Sequence, residues 1–164
     1  PLVLHYEDDP NTYNLNDEFL VGEKVLVAPV VQQGAINRVV YFPEGIWYDY
    51  WTGEKIKGGC HVLVDAPIDH LPIYVAEGSM IPHYETMQYV GERELDALYL
   101  ITTPGEASCL HYQDNGEDFA YRDGEYNLYE FFAGKKHDLD YKMHHKGYPM
   151  YRKVTLVEIG TIIE

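Results

Sequence analysis

The apolar residues of this chain come in short runs cut by glycine, proline and asparagine, and no long stretch repeats them at helical spacing. Alternation with period two places successive side chains on opposite faces of a strand, whereas a helix brings residues three and four apart together. This feature predicts an all-β chain. It argues against βαβ units, which need a helix of about 10–15 residues between strands. Strands are expected at Leu2–Tyr6, Asn37–Phe42, Gly45–Trp51, His61–Asp65 and Pro72–Ala76, and the continuous apolar run Lys24–Val31 reads as a strand buried on both faces. Asn16 is positioned to cap one helical turn over Asp17–Leu20, closed by Gly22. Further strands are expected at Leu95–Thr102, Glu125–Phe132, His137–Met143 and Tyr151–Ile159. Ala107–Gln113 is expected to form a hairpin with Glu117–Tyr121 across Asn115-Gly116, a strong turn signal.

So many short strands at regular turns suggest β-sandwiches. With 164 residues the chain suits one medium domain or two small ones. The polar, poorly patterned stretch His83–Glu94 marks the linker. The expected domains are therefore 1–83 and 84–164, two consecutive β-sandwich-like units, the second truncated. The chain opens on Pro1-Leu2-Val3-Leu4, with no initiator Met, no signal-peptide pattern and no apolar run approaching the roughly 20 residues of a bilayer span. The expectation is a piece of a longer protein.

A formal net charge of −15, spread through both halves, makes nucleic acid and anionic membranes poor partners. The two cysteines, Cys60 and Cys109, form no metal spacing and no CxxC pair, and no Asn-x-Ser/Thr site is present, so a reduced, cytoplasmic setting is expected. Candidate catalytic groups are sparse. Adjacent Asp8 and Asp9 would point to opposite sides of an extended segment, and Asp65 and Asp69 have no supporting third group. Asp114-Asn115-Gly116-Glu117-Asp118 lacks the ligand order of an EF-hand and reads as a tight hairpin, with another kind of calcium site as the alternative. Eight histidines include the neighbours His144-His145 but no HExxH, and neither Ser79 nor Ser108 sits in GxSxG. No catalytic, metal or cofactor site is therefore assigned. The richest aromatic cluster is Trp47-Tyr48-Asp49-Tyr50-Trp51. On a strand Trp47, Asp49 and Trp51 share a face, which reads either as core packing or as a sugar-stacking platform. Trp47 and Trp51 are the candidate sugar contacts.

Several ordered blocks resemble one family. His5-Tyr6-Glu7-Asp8-Asp9-Pro10, then Asn16-Asp17-Glu18-Phe19-Leu20-Val21-Gly22, then Val25-Leu26-Val27-Ala28-Pro29-Val30 are similar to the segment that follows the catalytic barrel in glycoside hydrolase family 31. Tyr41 to Gly53 resembles that family's PxGxWYDxWTG strand, and Ala66 to Val75 with Gly78 to Pro82 resembles its APLDxIPVFVRxGSIIP block. Tyr112 to Glu117, Tyr121 and Gly124-Glu125-Tyr126 resemble the YEDDGxxxxYxxGEY pattern of its distal domain. The resemblance implies a (β/α)₈ barrel followed by proximal and distal C-terminal β-domains, of which this chain would be the latter two. It implies a parent that hydrolyses α-O-glycosidic bonds with retention, through two aspartates on the barrel. Neither aspartate has a counterpart here. The expected partners are that barrel and, through it, an oligosaccharide substrate. The expected role is support of the barrel, and the alternative is a stand-alone carbohydrate-binding β-sandwich. A segment of this kind should expose an apolar patch near Leu2, Leu4, Phe19 and Leu20.

Overall fold

The computed structural model describes residues 1–134 and 138–161. They contain no α-helix, only strands and three single turns of 3-10 helix. The chain separates into two compact units, Pro1–Glu77 and Gly78–Glu164.

The first unit carries a five-stranded antiparallel sheet and a two-stranded ribbon. In the sheet, β1 (Phe19–Val21) pairs with β2 (Val25–Val27), β2 with β7 (Ile73–Ala76), β7 with β4 (Ile46–Asp49), and β4 with β5 (Lys55–Lys57). The ribbon joins β3 (Asn37–Phe42) to β6 (Cys60–Asp65), with Asn37 opposite Asp65 and Phe42 opposite Cys60. Leu2, Leu26, Ala28, Val40, Phe42, Trp47 and Tyr74 form the core. The link from β5 into β6 is tight: a methyl group on Gly58 would lie 1.9 Å from the Pro43 carbonyl oxygen. Only glycine fits there.

The second unit has two three-stranded sheets. One is the meander of β10 (Ala107–Gln113), β11 (Asn127–Ala133) and β12 (Leu139–Lys146). The other places β9 (Ala97–Thr102) between β8 (Met80–His83), antiparallel to it, and β13 (Lys153–Glu158), parallel to it. Met80, Leu98, Leu100, Ala107, Tyr129, Phe131, Ala133 and Tyr151 form its core.

Several local expectations are corrected. Leu2–Leu4 is a 3-10 turn rather than the start of a strand, because the Leu2 carbonyl accepts from both His5 and Tyr6 N–H. Its burial also divides the anticipated patch: Leu2 is fully buried and Leu20 is half-buried, while Leu4 and Phe19 are exposed. The strand expected over Lys24–Val31 is confined to Val25–Val27. Ala28 N–H still bonds the Pro72 carbonyl, but Pro29 has no N–H to continue the ladder. The turn expected over Asp17–Leu20 gives way to β1, whose hairpin with β2 pairs Phe19 with Val27 and turns at Gly22 with φ of 62°. Met80–His83, read from the sequence as the close of the first domain, pairs with β9 inside the second unit, and Pro82 is tolerated because β8 is an edge strand. Glu117–Tyr121 is not a strand. β10 pairs instead with β11, Gln113 opposite Asn127, and the intervening loop closes with a 3-10 turn at Ala120–Asp123. The strand expected from His137 runs over Leu139–Lys146; His137 itself lies outside the described residues.

Candidate functional site

The aromatic motif resolves into two unlike environments. Trp47 lies in the middle of β4 and is 1 % exposed. Its indole N–H donates to the Pro43 carbonyl at 2.9 Å, and its ring tilts against Phe42, whose own ring meets Tyr74 edge-on. This satisfies the one polar atom of a buried indole. β4 ends at Asp49, because the Asp49 carboxylate accepts from both Trp51 and Thr52 N–H at 2.9 Å and bends the chain into a turn. Trp51 therefore does not share a strand face with Trp47. It stands 41 % exposed, with its N–H on the Leu71 carbonyl at 2.7 Å, Tyr50 packed edge-on and His70 beside it. The two candidate sugar contacts are not brought together.

The acidic candidates are equally dispersed. Asp8, Asp65 and Asp69 do not converge: Asp65 ends β6 opposite Asn37, Asp69 sits in the exposed turn between β6 and β7, and Asp8 lines a cleft of about 850 Å³ with Asp9, Tyr41, Glu44 and Lys57. Asp9 caps the 3-10 turn Pro10–Thr12 and accepts a short hydrogen bond from the Tyr41 hydroxyl. That bond, with the Asn11 bonds, outweighs the burial that opposes it and sets the Asp9 carboxyl below its usual range. The cleft offers carboxylates, the Tyr41 phenol and the Lys57 ammonium. In the loop after β10, Asp114 accepts from Gly116 N–H and from the Tyr112 hydroxyl, and Asn115 from Glu117 and Asp118 N–H. These letters build a turn. Among the described residues no group of three or more metal-ligating side chains converges.

The sequence missed the buried polar centres of both units. In the first, Glu18 is 3 % exposed; one carboxylate oxygen accepts from Tyr41 N–H at 3.2 Å and from Arg38 at 3.4 Å, while the other has no partner. Arg38 is spent mainly elsewhere, on the Asp17 and Pro29 carbonyls and the Asp17 carboxylate. Burial therefore raises the Glu18 carboxyl to about 7 against the bonds that oppose it. In the second unit, buried His111 bonds the Tyr151 hydroxyl at 2.8 Å, which in turn meets the Tyr84 hydroxyl at 2.6 Å. Burial lowers the His111 imidazole and raises the Tyr151 phenol. Beside them Asn127, fully buried, donates to Gln113, Tyr129 and the Tyr148 carbonyl and accepts from Gly147 and Tyr148 N–H. A signal for this centre existed: Gln113 alternates with the inward-facing Cys109 and His111 of β10, and Asn127 with the inward-facing Tyr129 and Phe131 of β11.

Comparison with known proteins places this geometry. The model of the glycosyl hydrolase family 31 C-terminal domain matches residues 1–81. The chain belongs to glycoside hydrolase family 31. It is 42 % identical over 129 residues to alpha-glucosidase 2 of Bacillus thermoamyloliquefaciens, covering 77 % of this chain and 16 % of that protein. It is 33 % identical over 130 residues to the alpha-xylosidase of Saccharolobus solfataricus, covering 78 % of this chain and 18 % of that protein. The family 31 dextranase of Flavobacterium johnsoniae, solved in complex with glucose, superposes with a TM-score of 0.81 at 35 % identity, over 91 % of this chain and 20 % of that one. The chain thus spans less than a fifth of these curated relatives and corresponds to the C-terminal region of α-glycosidase-like enzymes. The family motif around Trp47 serves the fold in this chain: one tryptophan in the core, and an aspartate ending the strand.

Proposed function

We propose that this chain is the non-catalytic C-terminal β-region of a retaining α-glycosidase and that it supports the catalytic barrel of its parent. The observation that carries the reading is the use of the shared motif. The Trp47 N–H and the Asp49 carboxylate are spent on the chain's own backbone, and the candidate acids Asp8, Asp65 and Asp69 lie in separate places. Retaining hydrolysis needs two carboxyls about 5 Å apart. The exposed apolar side chains Leu4, Phe19 and Val21 supply surface for the barrel to cover. Oligosaccharide is met through the barrel, and nucleic acid and membrane are no part of the role. A reducing, cytoplasmic setting belongs to the same reading, supported by two free cysteines, of which Cys60 is exposed.

The purified chain, assayed on an aryl α-glucoside and on maltose, is expected to show no turnover. Turnover that survives purification and is abolished by Asp8→Ala, Asp65→Ala or Asp69→Ala would overturn the proposal. One observation favours a second reading, a carbohydrate-binding module: Trp51 presents an exposed ring fixed by its N–H bond. A rise in wild-type melting temperature with maltose that is lost in Trp51→Ala would establish that reading instead.

A further inference from the structure

The loop that leaves β10 holds an arrangement that the proposed role does not use. Asn115, Gly116, Glu117 and Asp118 are all exposed. The Gly116 N–H points at a carboxylate, donating to Asp114 Oδ1 at 2.9 Å. The side-chain carbonyl of Asn115 receives two backbone donors, Glu117 N–H at 3.1 Å and Asp118 N–H at 3.4 Å. Chain connectivity makes the Gly116 nitrogen the atom that closes a five-membered ring on Asn115 Cγ. Glycine offers no side chain to obstruct that closure, and the space around it is open. The three parts of an intramolecular acyl transfer are thus adjacent: a nitrogen nucleophile whose proton faces a base, a polarised carbonyl carbon, and two N–H donors on the oxygen where charge develops.

We propose that Asn115 is a self-modification site, deamidated in the folded chain by its own loop. The Gly116 proton passes to Asp114 while the Gly116 nitrogen forms a bond to Asn115 Cγ. The resulting oxyanion on Oδ1 is held by Glu117 and Asp118 N–H. It collapses, the Cγ–Nδ2 bond breaks, and ammonia leaves with the proton returned from Asp114. Water then opens the succinimide at either carbonyl, giving aspartate or isoaspartate. No redox change occurs; the net reaction is asparagine plus water to the acid plus ammonia. The aspartate product keeps an acceptor oxygen in place. The isoaspartate product adds a methylene to the main chain and carries Gly116 N–H away from Asp114. The remaining five asparagines are followed by Thr12, Leu15, Asp17, Arg38 and Leu128, none of which offers the same unhindered nitrogen.

The test incubates the whole chain at mildly alkaline pH and body temperature. It follows released ammonia, the amide-to-acid mass change in peptide maps, and isoaspartate by enzymatic methylation. Conversion at Asn115 is expected to exceed that at every other asparagine by about tenfold or more. Asp114→Asn is expected to slow it about tenfold in the folded chain and not at all in denaturant, the signature of a positioned base. The wild-type pH–rate profile, which needs no variant to fold, should level off where a carboxylate is the base. Equal folded-state rates for wild type and Asp114→Asn, a profile strictly first order in hydroxide, or slower conversion in the folded than in the denatured chain each overturn the proposal.

Discussion

The two units bury opposite kinds of polar centre. The first encloses a carboxyl group that is short of partners, Glu18, next to an arginine already engaged by the backbone. The second encloses a neutral relay, His111 to Tyr151 to Tyr84, next to an asparagine whose amide is saturated. Buried polarity is a liability in one unit and a set of matched partners in the other. An unpaired buried polar atom costs about 1–3 kcal/mol, whereas a satisfied one contributes modestly. The lesson is that burial of a polar residue does not by itself give the sign of its contribution; its partners do.

Both tryptophans lie in the first unit, so tryptophan fluorescence reports its unfolding alone, while hydrogen exchange reads the second. The largest expected effect is Trp47→Ala, which empties a fully packed site and should cost about 3–5 kcal/mol, read as loss of the fluorescence transition at low denaturant. Exchange in β10–β12 should stay slow if the units are independent. Next is Asn127→Ala, which takes the side-chain acceptor from Tyr148 N–H and leaves Gly147 N–H its bond to the Tyr126 carbonyl alone. It should cost about 2–3 kcal/mol and accelerate exchange in β11 and the 147–148 segment, with the fluorescence transition unmoved.

Titration sharpens the contrast, because the two centres respond to pH with opposite sign. The folded Glu18 carboxyl lies above its ordinary value of 4.5, at about 7. Its contribution is therefore fully present below 4.5 and is lost as pH rises through about 7. The folded His111 imidazole lies below its ordinary 6.5, so its contribution is present above 6.5 and is lost as pH falls through the lowered value. Fluorescence melts of the first unit should decline between pH 4.5 and 7 in wild type and stay flat in Glu18→Gln. Exchange protection of the second unit should fall on acidification in wild type and hold in His111→Gln. Matching pH slopes in both units would abolish the comparison. The smallest effect is Trp51→Ala, expected to change stability by less than about 1 kcal/mol, since the ring is a surface feature tied by one hydrogen bond.

The sequence carried the β architecture because alternation is a local property. Asn37–Phe42 and Ala107–Gln113 form with the expected bounds. Pairing partners were less legible. Asn115-Gly116 is a strong hairpin signal, yet Asp114, Asn115 and Asp118 bond backbone N–H groups and turn the loop into something other than a strand, leaving β11 to take its place. The candidate tryptophans were half legible. Their spacing predicts a shared face, and the Asp49 carboxylate between them ends the strand that would have provided it. Glu18 was invisible for a different reason. In the sequence it is one of an acidic pair beside a turn signal, and only the approach of β3, with Arg38 and the Tyr41 N–H, shows it buried.

The parallel pairing of β9 with β13 carries a consequence for how the second unit is made. Ala97 pairs with Lys153 and Thr102 with Glu158, so β9 has one neighbour supplied early by β8 and the other only after the whole meander of β10 to β12 has been synthesised. Pairings this remote in sequence pay their loop-closure entropy before any contact repays it, and they form slowly. On a ribosome emitting about 5–20 residues per second, the apolar edge of Leu98, Leu100 and Ile101 waits for several seconds with one side unpaired. Nascent chains stalled within the β12–β13 segment should therefore be captured by chaperones, and chains released past Glu158 should not.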